Sequence, residues 1–187
     1  MSAIASLWMP ILATAVLVFI ASSLIHMVFK WHNTDYKKLA NEDDVRAVVR
    51  AGSPAPGQYV IPHCQDMKEM GGDDMKKKFV DGPIAFMTVR KNGLPEMGPC
   101  LTQWFFFCLL IAAIAGWVAT CSVGFGANVR QAGCLVGMMS LLAYGGGSLQ
   151  MGIWFGKPWG SVAKDILDSI IYALISGLVF MWLWPAA

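Results

Sequence analysis

LTQWFFFCLLIAAIAGWVATCSV, residues 101–123, runs for 23 residues without an Asp, Glu, Lys, Arg or His. At ~1.5 Å rise per residue such a stretch makes about 34 Å of helix, enough to cross the ~30 Å hydrocarbon core of a bilayer. Working outward, three further blocks share this character: residues 7–29, 133–155 and 166–184. None of the four contains Lys, Arg or Glu, and apart from cysteines and tyrosines the ionisable exceptions are His26 in the first and Asp168 in the fourth. Only helices or closed barrels satisfy the backbone in hydrocarbon, and the ten-residue alternation of a barrel strand is absent. The sequence therefore predicts an all-α membrane protein, a bundle of four transmembrane helices. Residues 1–29 hold the first helix, 30–100 form an insertion, and 101–187 carry the remaining three.

Composition agrees. Of 187 residues, 56% are hydrophobic and only 14% charged, against about 25% charged in an average soluble domain. A disordered chain is excluded. The net charge of +2 comes without a basic stripe or basic domain, so nucleic acid is not an expected partner. The first apolar block has its first Lys or Arg at Lys30, after the run, whereas a signal peptide begins with positive charge. It reads as a retained anchor.

Basic residues set the expected orientation. Residues 30–100 hold eleven of the fourteen, the connection after the third block adds Lys157 and Lys164 on the same side, and Arg130 stands alone on the other. The positive-inside rule places 30–100 in the cytoplasm and both termini in the periplasm of a bacterial inner membrane. Trp8, Trp182 and Trp184 would anchor the outer interface, and Trp31, Trp104, Trp154 and Trp159 the inner one, as amphipathic rings do.

The insertion reads as a small α+β element. Asn41 to Gly52 has the signature of a capped helix, with acids in its first turn and Val45, Val48 and Val49 on one face. Gln58–Ile61 and Ile84–Val89 are strand candidates, the latter turning at Asn92-Gly93, and Asp73–Val80 is a second short helix. Seventy residues are marginal for an independent core.

Three motifs occur in order: Trp31-His32-Asn-Thr-Asp35-Tyr36-Lys-Lys-Leu39, then Pro56-Gly57-Gln-Tyr59-Val-Ile-Pro62, then Gly82-Pro83-Ile-Ala-Phe-Met-Thr-Val89 ahead of Asn92-Gly93. Together they resemble a family of bacterial four-helix inner-membrane proteins without an assigned activity. Leu39-Ala40 stands where that pattern has Leu-Pro. The resemblance implies the topology and carries over no functional residue.

Candidate chemistry is sparse. His26, the one histidine within a span, is a weak candidate for ligating haem or hydrogen-bonding a quinone carbonyl, but no other span offers a second histidine, and a structural histidine near the interface is the favoured reading. His63, Cys64 and Met67 are weak candidates for a soft metal such as Cu(I), in a spacing that matches no established cage. Asp165 and Asp168 open the predicted fourth span, where a helix dipole favours acids; Asp168 is expected to pair with Lys157 or with another chain. The five cysteines lack C-x-x-C or zinc spacing, and Cys121 and Cys134 could be bridged across one loop. No nucleophile elbow, Walker loop, H-E-x-x-H or Rossmann fingerprint is present.

The third span carries a stripe of mostly small residues, Gly133, Gly137, Ser140, Tyr144, Gly147 and Met151. Ala112, Ala115, Gly116 and Ala119 form a matching face on the second span, and Ser169, Tyr172 and Ser176 on the fourth. Small residues let helices approach closely in lipid, so these faces suit internal packing or a partner's helices, and Gln150 is expected to hydrogen-bond across helices. The expectation from sequence is a non-enzymatic accessory or scaffold subunit of a larger inner-membrane complex, respiratory or photosynthetic in type. Its partners would be the lipid bilayer and other membrane subunits or itself, and it would need no cofactor. The alternatives are a membrane redox protein or enzyme using His26 or the His63–Met67 cluster, and a homo-oligomeric channel.

Overall fold

The computed structural model describes residues 3–126 and 128–185, and the side chains of Ala3, Ile4 and Met67 lie outside that description. The described chain is mostly helical and divides into two compact units, one running to Tyr36 and resuming at Glu96, the other Lys37–Pro95.

Four helices in the first unit are long and apolar enough to cross a membrane: Trp8–Phe29, Met97–Val123, Val129–Phe155 and Trp159–Leu183. This supports a multi-pass membrane protein. Pro10 is tolerated in the first of them because a helix's opening N–H groups have no intrahelical partner. That helix ends in a widened π-helical turn, Leu24–Phe29, closed where Lys30 adopts φ 54° and its N–H reaches Ile25 O at 2.9 Å. A short 3-10 turn, Trp31–Thr34, follows. Hydroxyls along the long helices, including Ser23, Thr120, Ser122, Ser169 and Ser176, donate to carbonyls four residues back. Each is thereby satisfied without water.

Between lipid-bathed helices there is little hydrophobic drive, and close packing of small residues takes its place. The third and fourth long helices show this directly. A Cβ built on Gly133 would stand 2.6 Å from the backbone oxygen of Gly177, and one on Gly177 would stand 2.9 Å from that of Gly133. At Gly116 of the second helix a Cβ would meet the ring of Phe180 at 2.7 Å. Phe180, Leu7, Val136 and the alanines at 112, 115 and 119 form one core cluster. Ala15, Val18, Ile25, Cys108 and Tyr172 form a second.

Several expectations need correction. The packed stripe on the third helix does not pass through Gly147 and Met151: Gly147 is exposed with nothing within 4 Å of an added Cβ, and Met151 is exposed. After Tyr144 it continues through Ser148 and Gly152, the latter against Val162 and Trp159. Steps of four outnumber steps of three, as in the right-handed crossing that GxxxG faces favour. Gln150 is exposed and makes no side-chain hydrogen bond to another described residue. Trp8, Trp154, Trp159 and Trp182 are exposed, as interface anchors would be, but Trp184 is buried against Phe180, and Trp31 and Trp104 are half-buried inside the bundle. The fourth helix begins at Trp159, seven residues ahead of the predicted 166, so Asp165 and Asp168 lie beyond the first turn, where the dipole has faded. All five cysteines are free.

The second unit contains a two-stranded antiparallel sheet, β1 (Gly57–Ile61) paired with β2 (Ala85–Val89) in the register Gly57↔Val89 to Ile61↔Ala85. Helices Glu42–Ala51 and Asp73–Asp81 fall where the sequence suggests. Gly52 closes the first with a right-handed φ of −73°, and the Asn41 side chain caps nothing. Met75 is its one buried side chain among the described residues, which fits the marginal core expected of so short a segment.

Substitution at Gly133 and at Gly147 separates the packed face from the open one. Gly133→Leu should lower the detergent-solubilised protein's thermal stability through overpacking of about 1–3 kcal/mol, while Gly147→Leu should leave it near wild type. Equal tolerance at both positions would contradict the packing described.

Candidate functional site

The left-handed turn at Lys30 carries the chain from the end of the first long helix into Trp31–Thr34, which the fourth helix grips. Lys164 and Asp168 are four residues apart and so share one helix face. The Lys164 ammonium donates to Trp31 O at 2.7 Å, Thr34 Oγ1 at 2.8 Å and Asp35 Oδ1 at 2.6 Å. One turn along, Asp168 accepts from Trp31 Nε1 at 3.1 Å and pairs with His32 Nε2 at 2.9 Å. The other ring nitrogen of His32, Nδ1, pairs with Asp35 Oδ2 at 2.7 Å. The result is a linear relay, Asp168–His32–Asp35, closed by Lys164.

A histidine with a carboxyl oxygen on each ring nitrogen is best matched as a double donor, the imidazolium. Burial pulls the His32 pKa down, but the hydrogen bonds and negative charge of Asp35 and Asp168 outweigh it, and the net shift is upward. Asp35 goes the other way: the Lys164 ammonium, helped by His32, holds it at about 2. His26 stacks on His32 with ring centres 4.9 Å apart and planes 6° from parallel. Its Nδ1 lies 3.0 Å from Ser22 O. A carbonyl can only accept, so Nδ1 carries the proton and Nε2 is left as an acceptor when the ring is neutral.

His26, His32 and Asp168 offer ligand atoms within 4.8 Å of one another, the one such convergence of His, Cys, Asp or Glu among the described residues. The geometry fits a relay better than a metal centre. Both His32 nitrogens are engaged, and parallel imidazoles do not aim their in-plane lone pairs at a common point.

Beside the relay lies a chamber of about 400 Å³. Its wall includes His26 and Asp168, the aromatic residues Trp104, Tyr144 and Tyr172, and Ser22, Ser23, Ser148, Asp165 and Ser169; Met27, Met97 and Leu101 complete it. The rings pack edge-on or tilted, with centres 5.3 Å apart for Tyr144–Tyr172 and 6.3 Å for Trp104–Tyr172. Asp165 is matched by Ser148 and Lys157, both donating to its Oδ2. Two donors of the lining residues are turned away from accessible space and are not matched. Trp104 Nε1 and Tyr172 Oη are buried and make no hydrogen bond among the described residues; Ser22 interacts with Tyr172 but lies outside hydrogen-bond geometry. An unmatched buried donor costs about 1–3 kcal/mol.

The sequence-predicted residues are distributed unevenly around this site. His26, Trp104, Tyr144, Tyr172 and Ser169 line the chamber, while Gly133, Gly137, Ser140 and Ser176 lie on helix faces and are absent from its lining. Asp168 pairs with His32 and Trp31, whereas Lys157 pairs with Asp165. Of the soft cluster, His63 is exposed, Cys64 Sγ donates to Asp66 O at 3.0 Å, burial pushes the Cys64 thiol up, and Met67 lies outside the described side chains. The Asp66 carboxyl is occupied, capping the Met67–Met70 turn through Glu69 N at 2.8 Å. Reasoning from sequence missed His32, Asp35 and Lys164 as site residues. Their signal was present as a His-x-x-Asp directly after a span and a Lys-x-x-x-Asp at helical spacing, 129 residues away in the chain.

Comparison with known protein families, with curated proteins and with solved structures finds no match to this chain.

The relay gives a signed pH dependence. Asp35 contributes stability above its ordinary 3.8 and loses it as pH falls through about 2. His32, its pKa raised, contributes fully below 6.5 and loses that contribution as pH rises through its elevated value. The melting temperature of the solubilised protein should therefore fall as pH climbs above this range, and Asp35→Asn should bring that fall to lower pH. A wild-type melting temperature that rises there would contradict the assignment.

Proposed function

We propose that the chain is a multi-pass bacterial inner-membrane protein whose work is to hold a small membrane-soluble molecule in the chamber beside the Asp168–His32–Asp35 relay. The observation that carries this reading is the ligand-sized space itself, where Trp104, Tyr144 and Tyr172 meet the polar side chains of His26, Ser148 and Ser169. Pockets of about 300–1,000 Å³ with a few polar groups set among aromatic walls are the usual form of small-molecule sites. The relay, through Asp168, ties one wall of this space to the turn after the first helix.

Thirteen of fourteen basic residues fall on the side of residues 30–100 and the Lys157–Lys164 connection, which supports a cytoplasmic position for that side and periplasmic termini. The chamber then opens at the inner interface. Labelling of Cys64 by an impermeant thiol reagent in intact cells would overturn this orientation.

A second reading, the accessory or scaffold subunit, is favoured by the open face of the third helix. Gly146 and Gly147 have nothing within 4 Å of an added Cβ, and Gln150 is exposed alongside. Small residues beside a polar amide suit a close helix contact in lipid. The two readings are compatible in one assembled subunit.

Protein purified from native membranes should release a stoichiometric small molecule on extraction, and Leu101→Trp, which narrows the chamber without touching its polar groups, should abolish that. Release of bulk lipid alone from both proteins would overturn the binding reading. In the same preparation, co-purifying membrane subunits lost on Gly147→Leu would support the second reading, and their absence from wild type would remove it.

A further inference from the structure

We infer that the second unit binds the head group of an anionic phospholipid in the groove between the helix Glu42–Ala51 and β2. The groove lies wholly within that unit and has a volume of about 580 Å³. Its apolar lining comes from both elements. Val45 and Val49, four residues apart, share one face of the helix. Met87 and Val89, two apart, share one face of β2 with their ladder partners Tyr59 and Gly57. Met75 is the unit's one buried side chain among the described residues, so these apolar groups stay open to a partner.

Charge selects that partner. Arg46 and Arg50 also line the groove, again four residues apart on the helix. Ser53 and Asn92 add neutral polar groups, and no acid lines it. The Arg50 guanidinium makes no hydrogen bond or ion pair to another described residue. Arg46 pairs with Asp43 at 3.1 Å, but their side chains are 61% and 94% exposed, and so open a pair is worth little. Two guanidinium forks beside apolar surface suit an anion with an apolar body, and a phosphate ester matches the fork. Connectivity favours a lipid as its source. The unit leaves the membrane unit after Tyr36 and rejoins it at Glu96, directly before the long helix that starts at Met97. Tethers at both ends hold it at the bilayer surface, where head groups are at high effective concentration. The valines and Met87 would pack on the glycerol and the first methylenes, while the rest of the acyl chains stays in the bilayer.

The test is amide hydrogen exchange of residues 42–54 in the full-length protein, in nanodiscs of phosphatidylcholine with or without phosphatidylglycerol. Phosphatidylglycerol should slow exchange in the helix about tenfold. Arg46→Gln combined with Arg50→Gln should remove this protection while leaving the melting temperature in pure phosphatidylcholine at the wild-type value. Lys76→Gln combined with Lys77→Gln, the same charge change on the helix Asp73–Asp81, should keep it. Equal exchange of wild type in both lipids, or protection that survives in the arginine variant, would overturn the assignment. Protection lost equally in the lysine variant would reduce it to a general basic attraction and overturn the groove. Inorganic phosphate should not protect the detergent-solubilised protein; if it does, the site takes a free anion and the lipid assignment falls. Protection that requires two copies per disc would give the groove to a second copy of the chain instead.

Discussion

A single buried carboxyl group organises the end of the helical bundle that carries the site. Asp168 is only 5% exposed, and leaving such a group without partners would be costly. It is matched by Trp31 and His32, more than 130 residues earlier in the chain. Those partners cannot reach it unless the first helix ends as it does, through a widened turn and the left-handed residue Lys30. Lys164, one turn earlier on the same face, then fastens the backbone of that turn at Trp31 O and its side chains at Thr34 and Asp35. Removing one partner from a buried ion pair typically costs about 3–5 kcal/mol because the other is left uncompensated. The junction therefore depends on each of its buried partners.

The rest of the bundle is built on a different principle. Its helices meet through Gly133, Gly137 and Gly177 and through Gly116 under Phe180, contacts made by the absence of side chains. Such packing tolerates little added volume at these positions. The chamber forms toward the end where glycine contact gives way to bulkier Tyr144 and Tyr172 and the polar residues behind them. Small-residue contact and aromatic enclosure are two stretches of the same helix pair.

Much of this was legible in the sequence. Four uncharged blocks of bilayer length specify the long helices, and the Ala112–Ala119 face of the second helix is packed as its spacing suggests. The short elements between Glu42 and Val89 also fall where caps, alternation and turn residues place them. Two things were not legible. Hydropathy marks where an apolar run begins, not where a helix begins, so the polar first turns from Trp159 escape it and Asp165 and Asp168 look like acids stabilised by a helix dipole. The drift of a contact row around a helix depends on crossing geometry, so Gly147 could not be separated from Ser148. His32 was hidden for a simpler reason: a histidine after a span is unremarkable until the fold brings two acids to its ring.

The central claim is that His32 is held as a doubly hydrogen-bonded imidazolium between Asp35 and Asp168. Nitrogen-15 NMR of the histidine-labelled protein in nanodiscs tests it most directly, since the chain has only three histidines to assign. The account predicts both His32 ring nitrogens protonated at a pH above the ordinary 6.5, with Asp168→Asn moving the titration back down toward that value. A His32 ring that titrates at or below 6.5 in the wild-type protein, with one nitrogen bare at neutral pH, would contradict it.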